Sequence, residues 1–159
     1  MRKSVLYALI SLALAGCSSS PEPAATTAAP PATASAPVPN HTSLFPVAGQ
    51  VSTAVVPDHI LGMKALPGGS IADYNVKSKK YQMFIVDGES TQKAAFMMLD
   101  MKAELQPNPD YISYMGGYFG TYGDKPFYCF AKLHYLAGIV GLTKDQADPL
   151  ARTLAAQLN

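Results

Sequence analysis

The chain has 159 residues with a formal charge of +1, 12 basic against 11 acidic. A length of this order supports one domain with its own core and needs no staple. Two cysteines exclude a disulfide framework, and the near-neutral charge excludes a surface that works by neutralising phosphates.

Arg2 and Lys3 precede an uncharged, largely apolar run from Val5 to Ala15. This is the order of a secretory n-region and h-region, and small residues at the end supply a cleavage site. About 11 apolar residues fall short of the roughly 20 that a membrane-spanning helix needs. The run ends in Leu14-Ala15-Gly16-Cys17, which resembles the lipobox of bacterial lipoproteins at all four positions. The resemblance implies a signal peptide over residues 1–16, cleavage before Cys17, and a diacylglyceryl thioether on Cys17. No other cofactor is expected. It further implies membrane attachment in the cell envelope and, in a cell with two membranes, sorting to the outer membrane, because Ser18 rather than Asp follows the cysteine. Acyl chains contribute about 0.8 kcal/mol per buried methylene, so two or three of them make release slow.

From Ser18 to Ser43 the chain holds six prolines, seven alanines and nine serines or threonines, with Glu22 as its one charged residue. Such a composition cannot offset the entropy lost on folding, so residues 17–43 are expected to form a lipidated, disordered tether. A folded domain is expected over residues 44–159.

Within it, Ala72, Tyr74 and Val76 alternate, as do Tyr81, Met83 and Ile85 beyond Lys77-Ser78-Lys79-Lys80, which predicts a hairpin. Ser90 is placed to cap a helix to about Leu105, with Ala94, Met98, Met101 and Leu105 on one stripe and Gln106-Pro107-Asn108-Pro109 as its stop. Gly116–Thr121, Pro126–Lys132 and Tyr135–Leu142 read as a three-stranded meander around the Tyr122-Gly123-Asp124-Lys125 turn. A last helix carries Ala147, Leu150, Ala151, Leu154 and Leu158. Its start is either a Thr143/Gln146 capping box or Asp148 ahead of Pro149. A further edge strand is expected around Ile60–Leu66. The sum is an α+β domain: an antiparallel sheet of about five strands with two helices packed on one face. Its two strand-then-helix halves leave a degenerate duplication open.

Candidate chemistry is sparse. Cys129 in Pro126-Phe127-Tyr128-Cys129-Phe130 reads as a small buried hydrophobe, and His134 falls on the opposite strand face at five residues' distance. Met63, Met83, Met97, Met98, Met101 and Met115 invite either copper(I) ligation or plain packing. Nine of the 15 aromatic residues lie between Tyr111 and Tyr135, interleaved with glycines. Tyr118, Phe119, Tyr122 and Tyr128 are therefore the expected contacts to an envelope protein or glycan, since tyrosine offers a flat face with a hydroxyl handle. The favoured function is a non-enzymatic, membrane-anchored binding or scaffolding module without a nucleic-acid partner. The rivals are a small hydrolase or redox enzyme and a metal carrier.

Overall fold

The computed structural model describes residues 37–159; the expected signal peptide, the expected lipidation site Cys17 and the expected tether up to residue 36 lie outside that range. The domain is α+β, a seven-stranded antiparallel sheet with two helices. In chain order the elements are β1 (Gln50–Asp58), β2 (Pro67–Val76), β3 (Lys79–Asp87), α1 (Thr91–Glu104), β4 (Gln106–Ile112), β5 (Gly117–Tyr122), β6 (Lys125–Lys132), β7 (Tyr135–Val140) and α2 (Lys144–Gln157). The strand order is β1-β2-β3-β7-β6-β5-β4, so two meanders from separate parts of the chain meet at the β3–β7 pair.

The hairpin and the meander form as their patterns predict, joined by tight turns. Lys77 and Ser78 both take positive φ at the β2–β3 turn (50° and 67°), and Gly123 does so at the β5–β6 turn (58°). That left-handed pair is the backbone of a type I′ hairpin turn, which matches the twist of the flanking strands.

Two strands beyond the expected five flank the sheet, and both escaped the pattern for physical reasons. β1 is exposed along most of its length, so it has no buried face to impose a period-two signal. β4 contains Pro107 and Pro109, which punctuate sequence yet are tolerated at a sheet edge, where the missing N–H faces away from the ladder. The expected strand at Ile60–Leu66 is instead a 3-10 turn at Ile60–Gly62 followed by irregular chain. Ile60, Met63 and Leu66 are buried there, packing as a plug under β1 and β2.

The helices lie on opposite faces of the sheet, not on one. α2 buries Ala147, Ala151 and Leu154 against Tyr74, Met83, Ile85, Tyr128, Phe130 and Ile139. α1 buries Met98 and Met101, with Leu105 at its end, against Phe84, Val86, Phe127, Cys129, Leu136 and Val140. Successive residues of β3, β6 and β7 therefore serve different cores, and β7 is buried at every position. A strand clothed on both sides reads as an uninterrupted apolar run. The same arrangement argues against a duplication. A two-fold axis relating antiparallel β3 and β7 runs perpendicular to the sheet and would put both helices on one face.

The caps differ from one helix to the other. Ser90 Oγ accepts the Lys93 N–H at 3.2 Å, as expected, whereas Thr143 makes no side-chain cap and α2 nevertheless begins at Lys144. Asp148 is not a cap; it accepts hydrogen bonds from the hydroxyls of Tyr114 and Tyr128 and pairs with Arg152.

At the amino-terminal side, His41 is already fastened to the domain. Its backbone N–H donates to the buried Ser70 hydroxyl at 2.9 Å, its ring nitrogen lies 3.1 Å from Asp87, and its ring sits edge-on to Tyr135. Phe45 is buried beyond it, and Pro46 accepts the Tyr74 hydroxyl at 2.7 Å. The chain thus enters along the α2 face, at the end of the sheet where β3 stops and β7 starts.

Gly138 sits at the centre of this packing, where a Cβ would stand 2.7 Å from the Phe84 ring and 2.2 Å from the Tyr128 carbonyl oxygen. Gly138→Ala is expected to lower the unfolding free energy by about 1–3 kcal/mol, the usual cost of overpacking, measured by urea denaturation.

Candidate functional site

The α1 face of the sheet is not fully covered. α1 lies over β5, β6 and β7, and the Ile60–Leu66 plug covers one end of β1 and β2. Between them, toward the β2–β3 turn, the sheet is open as two adjoining hollows of about 690 and 300 Å³ that share Gln82, Lys125 and Val140. Register explains the lining. Ser52 pairs with Asp73, Asp73 with Gln82, Gln82 with Val140, and Val140 with Phe127, so five strands contribute one transverse row.

The row is polar at the β1 side. Asp73 accepts from Ser52 Oγ at 2.7 Å on one carboxylate oxygen and from Gln82 Nε2 at 2.8 Å on the other. Those bonds, Ser52's before Gln82's, favour the charged form and hold the Asp73 carboxyl below its ordinary value despite partial desolvation. Asp73 is thus a fixed anion that ties three strands together, with no proton to give at neutral pH. Around it stand Val51, Val56, Leu61 and Ile71 as apolar surface, Tyr122 as an aromatic wall, and Lys80 and Lys125 at the rim, while the Tyr81 ring turns to the α2 face. Neither lysine has a carboxylate within ion-pair distance among the described residues. Lys77 and Lys79 border a third, mostly apolar hollow at the same end of the sheet. Tyr81 is stacked on Tyr74, centroids 4.9 Å apart and planes 3° from parallel, and desolvation pushes the Tyr74 phenol up to about 12. The groove can seat an anionic group between the lysines with apolar or ring surface against Tyr122. Its lining contains no histidine or cysteine to act as nucleophile or neutral-pH base.

Of the four expected contact residues, the structure brings Tyr122 to this groove and separates the others from it. Tyr118 lies on the same face, half-buried beside Tyr111 with the Lys102 ammonium 5.3 Å from its ring centroid. Phe119 points to the α2 face against Tyr128. Tyr128 is fully buried, its hydroxyl donating to Asp148 at 2.9 Å, so it belongs to the core rather than to a contact surface. Burial, joined by the neighbouring Asp148 and Tyr114, raises its phenol far above the usual value.

Cys129 is buried, 3.7 Å from Met98 Sδ, and burial pushes its thiol up to about 12. The thiolate a nucleophile requires is strongly disfavoured there. The methionines divide between the cores: Met63, Met97, Met98 and Met101 on the α1 face, Met83 and Met115 on the other. Gap filling accounts for them. His134 stands 4.0 Å from Asp87 on the far side of the molecule from the groove.

Asp73, Gln82, Ser52, Lys80 and Lys125 are not visible as a set in sequence, because they converge only through the pairing of β1, β2, β3 and the β5–β6 turn. No family model, curated protein or solved structure matches the chain.

Two outcomes check this geometry. Because the folded-state pKa of Asp73 is depressed, its stabilising effect is complete above the unfolded-state value near 3.8 and fades as pH falls through the folded value. The difference in unfolding free energy between wild type and Asp73→Ala is therefore expected to hold from pH 7 to about 5 and to close toward pH 3. Cys129 is expected to react with a thiol reagent only as fast as the domain opens, its rate falling in step with added stability; rapid reaction of the native protein contradicts the burial described.

Proposed function

We propose that this chain is a lipid-anchored lipoprotein of the cell envelope whose α+β domain is a non-enzymatic binding module, and that the groove beside Tyr122 holds an anionic portion of an envelope protein or glycan partner. The observation that carries the reading is the combination of Lys80 and Lys125, which have no carboxylate partner among the described residues, with the aromatic wall of Tyr122 over an apolar floor. Two further points support it. The groove's one carboxylate is consumed by Ser52 and Gln82, and the domain's one cysteine is sealed in the core. Binding chemistry is thus what the accessible groups offer.

The anchor reading rests on Leu14-Ala15-Gly16-Cys17 and on the Ala/Pro/Ser/Thr-rich stretch behind it. A domain held at a membrane meets its partner at raised effective concentration, so a shallow groove of modest affinity suffices. In a cell with two membranes the outer membrane is its place.

The test is in-cell photo-crosslinking of the full lipidated chain with a photoreactive aromatic at position 122 and, for comparison, at 118. A discrete adduct from 122 is expected, weakened by the Lys80→Glu/Lys125→Glu pair; no adduct at 122 overturns the groove reading. The anchor is checked separately. Cys17→Ser is expected to abolish incorporation of labelled palmitate and move the chain from the membrane fraction to the soluble one.

A further inference from the structure

The third hollow lies on the α2 face, where that core reaches the surface at the β2–β3 turn. Register sets one wall. Tyr74 pairs with Tyr81 and Val76 with Lys79, two successive rungs that send their side chains to the α2 side. Lys79 therefore stands at this hollow while its neighbour Lys80 stands at the groove on the other face, so the two openings draw on different lysines. α2 supplies the opposite wall. Its buried stripe of Ala147, Ala151 and Leu154 turns to the sheet, and Pro149 and Leu150 lie beside that stripe. Leu142, buried on the chain leading into α2, closes the floor.

The hollow measures about 450 Å³, within the roughly 300–1,000 Å³ of small-molecule sites. Val76, Leu142, Pro149 and Leu150 make it apolar, and only the side chains of Tyr81 and Gln146 offer it neutral hydrogen-bonding groups. Its charges have one sign. Lys77 and Lys79 border it, neither has a carboxylate within ion-pair distance among the described residues, and no carboxylate lines it. Positive charge thus gathers at the turn, and apolar surface extends from there toward α2. The groove on the other face, by contrast, contains the fixed carboxylate of Asp73.

We propose that this hollow binds a single-chain anionic amphiphile, an alkyl chain with a carboxylate head group, its chain against Val76, Leu142 and Leu150 and its head group between Lys77 and Lys79. This goes beyond the groove reading and does not depend on it. Each part of the ligand answers a part of the site. Methylenes need no hydrogen-bond partners, which suits a lining that offers few, and their burial is favourable in proportion to area. Lysine ammoniums are compact charges on flexible stems; they can meet a carboxylate at the mouth while their own methylenes lie along the apolar wall. A sugar would leave hydroxyls without partners against Val76 and Leu150. A flat bilayer reaches the rim of such a hollow, not the Leu142 floor between strand and helix.

The test uses the full-length chain with phosphatidylcholine vesicles present, and its probe is a laurate analogue with a photoreactive diazirine on the alkyl chain. Irradiation is expected to place the adduct on segments carrying Val76, Leu142 or Leu150. Unlabelled laurate is expected to compete about tenfold better than dodecanol, which has the chain without the charge. Lys77→Gln/Lys79→Gln, a change at two exposed positions outside the core, is expected to weaken labelling about tenfold. Lys80→Gln/Lys125→Gln is expected to leave labelling unchanged, which separates this site from the groove. The proposal is overturned if the adduct falls elsewhere, if dodecanol competes as well as laurate, or if the two lysine pairs have equal effects. It is also overturned if phosphatidylglycerol vesicles suppress labelling as well as laurate does, an outcome that marks the lysines as a bilayer contact.

Discussion

Everything in this domain hangs on the pairing of β3 with β7, strands separated by some fifty residues of chain and joined over Gln82–Asp87 and Tyr135–Val140. It is the only seam between the two meanders. Its formation fixes the strand order, and with it which residues face which helix. Because β7 is buried at every position and β3 from Met83 to Val86, the seam is stable only with a helix on each face. Local hairpins can form early, but the loop between β3 and β7 must close before either core is complete, and that closure is the costly step.

The parts of the fold legible in sequence are those with a one-sided environment or a strong punctuation mark. The β2–β3 hairpin shows its period because Ala72 and Tyr74 are buried while their neighbours are partly open. The Ser90 cap announces α1. The elements that could not be read are those where tertiary context replaces local pattern. β1 has no buried face of its own, β4 hides behind two prolines, and Ile60–Leu66 is apolar because it plugs the sheet, not because it joins it. The placement of helices on two faces was equally out of reach, since it depends on how α1 crosses from β3 to β4, and no periodicity encodes that crossing. α1 is a helix whose apolar residues fall on both sides, Phe96 and Leu99 standing outward, so its own sequence does not say which side is covered.

The candidate site divides in the same way. An aromatic and glycine-rich stretch is conspicuous in sequence, but a strand sends alternate residues to opposite faces, and the stretch is therefore distributed between two cores and one groove. Only Tyr122 meets the residues that make the groove distinctive. Those residues are ordinary one by one: a serine, an aspartate, a glutamine and two lysines. Their significance is a matter of register, since Ser52, Asp73 and Gln82 form one transverse row only if β1, β2 and β3 pair as they do.

The docking of His41 has a mechanical consequence. Tension on the leading segment does not reach β1 first, although β1 is the next strand in the chain. It arrives at His41, and the partners of His41 are Asp87 at the end of β3, Tyr135 at the start of β7 and Ser70 in β2. Load is thus handed to the most deeply embedded strands, where hydrogen-bonded neighbours on both sides share it. Without that clamp, a pull would unzip the sheet from its outermost strand, one ladder rung at a time. Force arriving ahead of His41 is thereby spread over β2, β3 and β7, and β1 and the groove beside it keep their shape.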